Sequence, residues 1–521
     1  MKKESSRTVN SIKNSLVSII AYIIPIIIAF IAQAVFLRVF NKEYNGIKGL
    51  FNNILNMLNV IELGFGSAII YNLYEPMAKK EHKKIRALVK FYKTVYHIIA
   101  GVILVLGVCL IPIIPIIVGD VSIVEDVRLI FFLYLLSTVA SYLLTYKRSI
   151  LYADQKEYIT KIINCIFVII RNGIQIFVIL YTKNFILYLL TEIGLILLEN
   201  ISINILVDRR YDYLKDLNSE EDISKEVKTD IITKVKGLLF HRIGTFVVAS
   251  TDNIIVSMTK TLGVAVVGVY SNYNMIIYRV TTLFANVITS LTASVGNLLV
   301  DKQDTDKARN IYKSMFLLNS WIFCFACAGI VCVIEPFVKI WIGDEYILPK
   351  LVLYVLVINM YLQGIRKTNI TFKEAAGIFY EDRFIPLIEA ILNLIASLAL
   401  IKVFGLAGVF MGTILSEMIW ILYSYPKYLY KSVLKGTYLE YIWIFLKYTI
   451  LSLVIVVFTM YVSTFIKTEN LYLQVVYNSI LCCLIPNILY FIVVRKFQEF
   501  NFYDEKIKRF LNSKILKSEN K

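Results

Sequence analysis

Long apolar runs recur along the chain from Leu16 to Val494, separated by short polar segments. Most runs are about 20 residues or longer, which is the length a helix needs to cross a hydrocarbon core. The pattern predicts about fourteen spans. The first six are Ser15–Leu37, Leu50–Tyr74, Phe91–Val118, Val127–Tyr146, Ile159–Tyr181 and Phe185–Val207. The next six are Leu238–Met258, Val267–Gly296, Ser314–Ile334, Pro349–Gly364, Phe384–Phe404 and Leu406–Tyr425. Ile442–Ile466 and Leu473–Val494 complete the set. The expected fold class is therefore an all-α polytopic membrane protein.

Composition agrees with this reading. Hydrophobic residues make up 58% of the 521-residue chain, against about 45–50% in soluble domains, and the mean hydropathy is +0.68. The net charge of +17 does not indicate nucleic acid, because the basic residues cluster between apolar runs as membrane topology requires. With the N-terminus inside, most Lys and Arg fall in cytoplasmic segments, so both termini are expected to be cytoplasmic. The first outer loop, with Arg38, Lys42 and Lys48, runs against that bias. The first apolar run is too long for a signal-peptide core and has no small-residue cleavage site, so it reads as a retained helix. All seven cysteines lie in apolar segments, and the Cys324/Cys327 pair reads as helix packing. No disulfide framework, cofactor or metal site is implied.

Two stretches of the chain resemble each other. Gly46-Ile-Lys-Gly-Leu-Phe-Asn-Asn-Ile54 parallels Gly268-Val-Tyr-Ser-Asn-Tyr-Asn-Met-Ile276. Pro112 precedes Gly119-Asp120 at the same spacing as Pro336 precedes Gly343-Asp344, and Phe91-Tyr-Lys93 parallels Ile311-Tyr-Lys313. The shared order argues for duplication. Six helices per copy is an even number, so both copies have the same topology and form two parallel lobes, as in many transporters. The last two spans fall outside the repeat. The expected organisation is a cytoplasmic N-terminus (1–14), a first six-helix lobe (15–207), a cytoplasmic linker (208–237) and a second six-helix lobe (238–425). A C-terminal helix pair (426–494) and a basic cytoplasmic tail (495–521) follow.

Polar groups persist inside the spans, although a mid-span charge costs about 2.5–3.5 kcal/mol on insertion scales. They form stripes at helical spacing. Asn52, Asn56, Asn59 and Glu62 share one face, and Asn164, Arg171 and Gln175 another. Glu192 and Glu199 lie on the sixth span, Arg242 and Asp252 on the seventh, and Asn272, Arg279 and Asn286 on the eighth. Glu389, Asn393 and Ser397 lie on the eleventh and Glu417 on the twelfth. Any one of these could be a buried pair holding helices together, such as Arg171 with Glu199. Stripes in both copies point instead to a shared wet interior. Arg171, Arg242 and Arg279 are suited to an anionic group there, because the guanidinium fork matches phosphate oxygens. There is no HExxH, GxSxG, Walker loop or metal motif, so an ATPase or hydrolase has no support. Transport would be driven by an ion gradient, the membrane potential or the substrate's own gradient.

Several segments carry a resemblance. Gln33, Glu43-Tyr-Asn-Gly46, Glu62-Leu-Gly-Phe-Gly-Ser-Ala68 and Tyr71-Asn-Leu-Tyr74 resemble the N-terminal region of bacterial polysaccharide-biosynthesis flippases, relatives of the multidrug/oligosaccharidyl-lipid/polysaccharide (MOP) exporters. Asp252-Asn-Ile-Ile255, Gly263, Gly268-Val-Tyr-Ser271, Gly405-Leu-Ala-Gly408 and Gly412-Thr413 are similar to later parts of that family. The resemblance spans nearly the whole chain. It implies two lobes around a cationic cavity, alternating access, and movement of an undecaprenyl-pyrophosphate-linked oligosaccharide across the bacterial cytoplasmic membrane. The repeat unit is then polymerised into capsule, O-antigen or a similar surface polymer, which implies a polysaccharide polymerase as a partner.

On this reading Arg171, Arg279 and Arg242 meet the pyrophosphate. Asn52, Asn164, Asn286 and Asn393 meet sugar hydroxyls, and membrane lipid surrounds the prenyl tail. Asp252, Glu62 and Glu389 are candidates for a coupling-ion site. Three alternatives stay open: a lipid II flippase, a multidrug cation antiporter of the same superfamily, and a membrane glycosyltransferase or polymerase. Short outer loops without an acidic catalytic domain weigh against the last, so the chain is not expected to be an enzyme.

Overall fold

The structure is a computed structural model. It describes residues 7–62, 65–119, 121, 125–217, 223–225, 228–229, 231, 251–259, 262–300, 305–378 and 380–504. Among these residues the protein is helical and carries no strand. Among the described residues nine helices are long and apolar enough to cross a membrane, and the chain is a multi-pass α-helical membrane protein. The seventh predicted span lies mostly outside the described residues, with only 251–258 seen as helix.

The chain divides into two compact units, Met1–Ser271 and Asn272–Lys521. The first contains α1 (Arg7–Val39), α2 (Lys42–Leu58), α3 (Phe65–Lys79), α4 (His82–Leu110), α5 (Ile114–Val118), α6 (Val127–Leu143), α7 (Arg148–Ala153), α8 (Glu157–Thr182) and α9 (Phe185–Arg210). Next comes α10 (Gly263–Thr289), within which the division falls. The second unit continues with α11 (Thr292–Val300), α12 (Thr305–Trp341), α13 (Lys350–Ala375), α14 (Ile385–Phe404), α15 (Leu406–Ile419), α16 (Tyr438–Ser463) and α17 (Leu471–Val494).

Local chemistry sets the ends of these helices. Asn41 caps α2, accepting from the backbone N–H of Glu43 and Tyr44. Asn184 caps α9 and Asn470 caps α17 in the same way. Thr437 and Glu440 form a reciprocal capping box at the start of α16. Each of these satisfies amide donors that a helix start leaves open. The predicted second span is not one helix. It winds as α2, a 3-10 turn over Asn59–Glu62, and α3. The third span breaks between Leu110 and Ile114, where Pro112 lacks the N–H a continuous helix needs. The repeat-matched glycines Gly119 and Gly343 both follow a helix with positive φ, 72° and 107°, a backbone region open to glycine without a Cβ penalty.

In the first unit, α1 packs on α8, α4 on α6, and α9 on both α6 and α8. Rings of Phe36, Phe40, Tyr44, Phe185 and Tyr188 interlock at one end. The start of α10 lies against α2. A Cβ on Gly46 would stand 1.9 Å from the Val264 carbonyl oxygen, and one on Gly268 would stand 2.0 Å from that of Lys42. These are the two glycines that the repeat aligns, and Asn45 Nδ2 donates to the Gly268 carbonyl at 2.7 Å.

In the second unit α12 is the central helix, touching α13, α16 and α17. Asn319 Nδ2 donates to the Gly364 and Ile365 carbonyls and to Thr368 Oγ1. Ser320 joins Tyr361, Ser452 and Tyr490 in one buried hydroxyl network. Outward faces are apolar: Ile162, Ile166, Ile169, Ile170, Ile174 and Phe177 are exposed along α8. A face of that kind belongs against lipid.

Candidate functional site

A polar cavity of about 310 Å³ opens within the first unit. Its wall combines Glu62 from the 3-10 turn after α2 with Ser141 and Tyr142 of α6 and Thr145 of the turn that follows. Arg148 comes from the start of α7, Asn164 and Arg171 from α8, and Ile196, Glu199 and Asn200 from α9. Four ionisable groups and several neutral donors thus converge inside a helical bundle. Such groups are rare in spans and face interior or water-filled surfaces.

The contacts within the cavity are specific. Arg148 Nη2 reaches Glu199 Oε1 at 3.0 Å and Asn200 Oδ1 at 2.7 Å. Asn164 Nδ2 donates to the same Glu199 oxygen at 3.1 Å. The Tyr142 hydroxyl donates to Glu62 Oε2 at 2.9 Å. Asn200 Nδ2 donates to the Ala140 carbonyl, which ties α9 to α6. The pairing of Arg171 with Glu199, one packing alternative that the sequence offered, is not what forms: Arg148 takes Glu199. Among the described residues Arg171 makes no ion pair.

The cavity therefore gathers three of the predicted residues, Arg171, Asn164 and Glu62. The others lie elsewhere. Asn52 is exposed on α2, and Asn286 is exposed on α10. Arg279 is half-buried on α10, and Asp252 lies half-buried in the helical stretch 251–258. Asn393 is fully buried between α14 and α15, donating to Thr413 Oγ1 at 3.0 Å. Arg242 lies outside the described residues.

Glu389 belongs to a second charged cluster, inside the second unit. Arg366 Nη1 of α13 stands 3.2 Å from Glu417 Oε1 and 3.5 Å from Glu389 Oε1. Trp420 Nε1 donates to Glu389 Oε2 at 2.6 Å, and Arg366 Nε donates to the Tyr425 hydroxyl at 3.2 Å. Trp420 opens a π-helical stretch, Trp420–Lys431, that carries Pro426. Nearby, Lys373 pairs with Asp382. The same unit holds an apolar cavity of about 420 Å³ between α12, α13 and α16, bordered by Tyr354, Ile358, Leu453 and Val457.

Arg148 and Arg366 were missed by sequence reasoning for the same reason. Each lies just beyond a predicted span end, Tyr146 and Gly364, and was counted with the cytoplasmic basic residues. The chain turns at Thr145–Lys147 and re-enters helix at Arg148, while α13 runs on to Ala375. Charged residues immediately after an apolar run were the available signal.

No known family profile matches the sequence, and no curated protein sequence matches it. Solved structures do match, and they show the fold that this chain shares with them. A lipid II flippase MurJ in an inward closed conformation superposes with a TM-score of 0.68 at 16% identity, over 92% of this chain and 98% of that one. An inward-facing multidrug resistance MATE family transporter of the MOP superfamily gives 0.57 at 12% identity, over 83% and 98%. A Vibrio cholerae MATE transporter, VcmN, gives 0.52 at 14% identity, over 83% and 99%.

Proposed function

We propose that this protein is a flippase that moves an undecaprenyl-pyrophosphate-linked oligosaccharide across the bacterial cytoplasmic membrane by alternating access. The observation that carries the reading is the polar cavity of the first unit, which Arg171 and Asn164 both line, inside a bundle whose fold is shared with a flippase. Arginine in a low-dielectric wall is a strong partner for a phosphoryl group. Amides and hydroxyls beside it suit sugar hydroxyls. Arg279 and Arg242 are further proposed pyrophosphate contacts, Asn52, Asn164, Asn286 and Asn393 are proposed glycan contacts, and Asp252, Glu62 and Glu389 are coupling-ion candidates. A polymerase would act on the delivered repeat unit.

Lipid II is the second reading. The MurJ structure covers 92% of this chain against 83% for each of the two MATE structures, which favours a lipid-linked cargo over a small cation. The two flippase readings differ only in the glycan.

The test is complementation. The chain is expressed in a bacterium lacking its own O-antigen or capsule flippase, and surface polymer is probed, with Arg171→Ala and Arg279→Ala alongside. Wild type is expected to restore polymer and both variants, at equal membrane abundance, to fail. Rescue by both variants refutes these arginines as pyrophosphate ligands. Failure of the inserted wild type here, with rescue of a strain depleted of its lipid II flippase, selects the second reading.

A further inference from the structure

Arg148 is held in a way that exposes a competition. Its Nη2 is shared between Glu199 and Asn200, at 3.0 and 2.7 Å. Its Nε is buried without a hydrogen-bond partner. Glu199 is itself buried, yet it accepts from a second, uncharged donor, Asn164 Nδ2, on the same oxygen that meets Arg148. The other carboxylate of the cavity, Glu62, likewise has a neutral donor, the Tyr142 hydroxyl. Glu199 would thus keep a donor, Asn164, if the arginine turned away. Leaving a buried charge with no partner is what normally locks such a pair; here the Asn164 donor lowers that penalty for Glu199, and the incoming anion meets the charge of Arg148.

We propose that Glu199 is an internal latch on Arg148, competing with the pyrophosphate group of the cargo for one guanidinium. The inference rests on the functional reading above and extends it by adding a second anchor to the site. A pyrophosphate bridge carries charge on both phosphoryl groups, so Arg171 alone leaves one of them unmatched. Arg148, on the same cavity wall, supplies the second fork. When it swings to the anion, Glu199 falls back on Asn164. The cavity of about 310 Å³ lies at the lower end of the range for small-ligand sites, which fits a headgroup and excludes the whole glycan. Glu199 is then a positioning residue that sets how tightly the anion is held, and so how readily it is released.

The test uses the purified full chain in phosphatidylcholine nanodiscs, titrated with farnesyl pyrophosphate and, as the uncharged control, farnesol. Wild type is expected to bind the pyrophosphate saturably and farnesol not at all. Glu199→Gln keeps the shape and removes the competing charge, so affinity should rise about five- to tenfold. Asn164→Ala removes the fallback donor and should weaken binding, as should Arg148→Ala. A purely structural network would weaken binding in both Glu199→Gln and Asn164→Ala, so opposite signs support the latch. Wild-type binding with no gain in a normally folded Glu199→Gln protein overturns the latch and leaves the flippase reading standing. No binding in wild type or Glu199→Gln overturns both the latch and the cavity as a pyrophosphate site.

Discussion

Replacing Arg366 with Met removes the guanidinium that pairs with two buried carboxylates. Its Nη1 lies 3.2 Å from Glu417 and 3.5 Å from Glu389, and both acids are buried. At an effective dielectric of about 20, each contact is worth about 5 kcal/mol of gross attraction. Desolvation offsets most of that in the intact protein, so the net value of the cluster is small. Breaking it is different, because two carboxylates are left facing each other without the guanidinium that paired with both. The expected loss is about 3–5 kcal/mol, or on the order of 5 °C in midpoint for a protein of this size. The assay is thermal unfolding of the purified protein followed by fluorescence-detected size exclusion. The triple variant Arg366→Met/Glu389→Gln/Glu417→Gln neutralises all three groups and should recover at least half of the loss. A single variant within about 1 °C of wild type, or a triple variant no better than the single, refutes the charge-balance reasoning.

Two further substitutions test helix packing. A Cβ at Gly408 would stand 2.2 Å from the Leu400 carbonyl oxygen; because that contact is backbone, Gly408→Ala should push α15 off α14 and lower stability by about 1–3 kcal/mol, read as an earlier unfolding midpoint. Asn319→Leu removes the amide that bridges α12 to the Gly364 and Ile365 carbonyls, and should lower stability by about 1–3 kcal/mol without changing the oligomeric elution position.

The sequence by itself determined the class of the protein. Apolar runs of bilayer length admit only helices in the membrane, because every backbone polar group must find its partner within its own segment. Most span centres were legible for that reason, as was the marking of helix ends by Pro112 and by the paired glycines Gly119 and Gly343. The cavity was partly legible too: Arg171 and Asn164 lie two turns apart on the face of α8 that reaches it.

The tertiary structure alone decided which charges meet. A stripe shows that Glu199 faces inward, but not that it faces Arg148 rather than Arg171, since that depends on how α7 re-enters after the turn at Thr145–Lys147. Likewise Glu389 and Asn393, neighbours on one face of α14, part company. Glu389 joins the Arg366 cluster, while Asn393 donates to Thr413 Oγ1. Periodicity places a residue on a face of its helix. Which neighbour that face meets is set by close backbone approaches such as Gly408 on Leu400, and by where a charged helix end folds back into the bundle. Both are long-range packing outcomes that one-dimensional spacing does not contain.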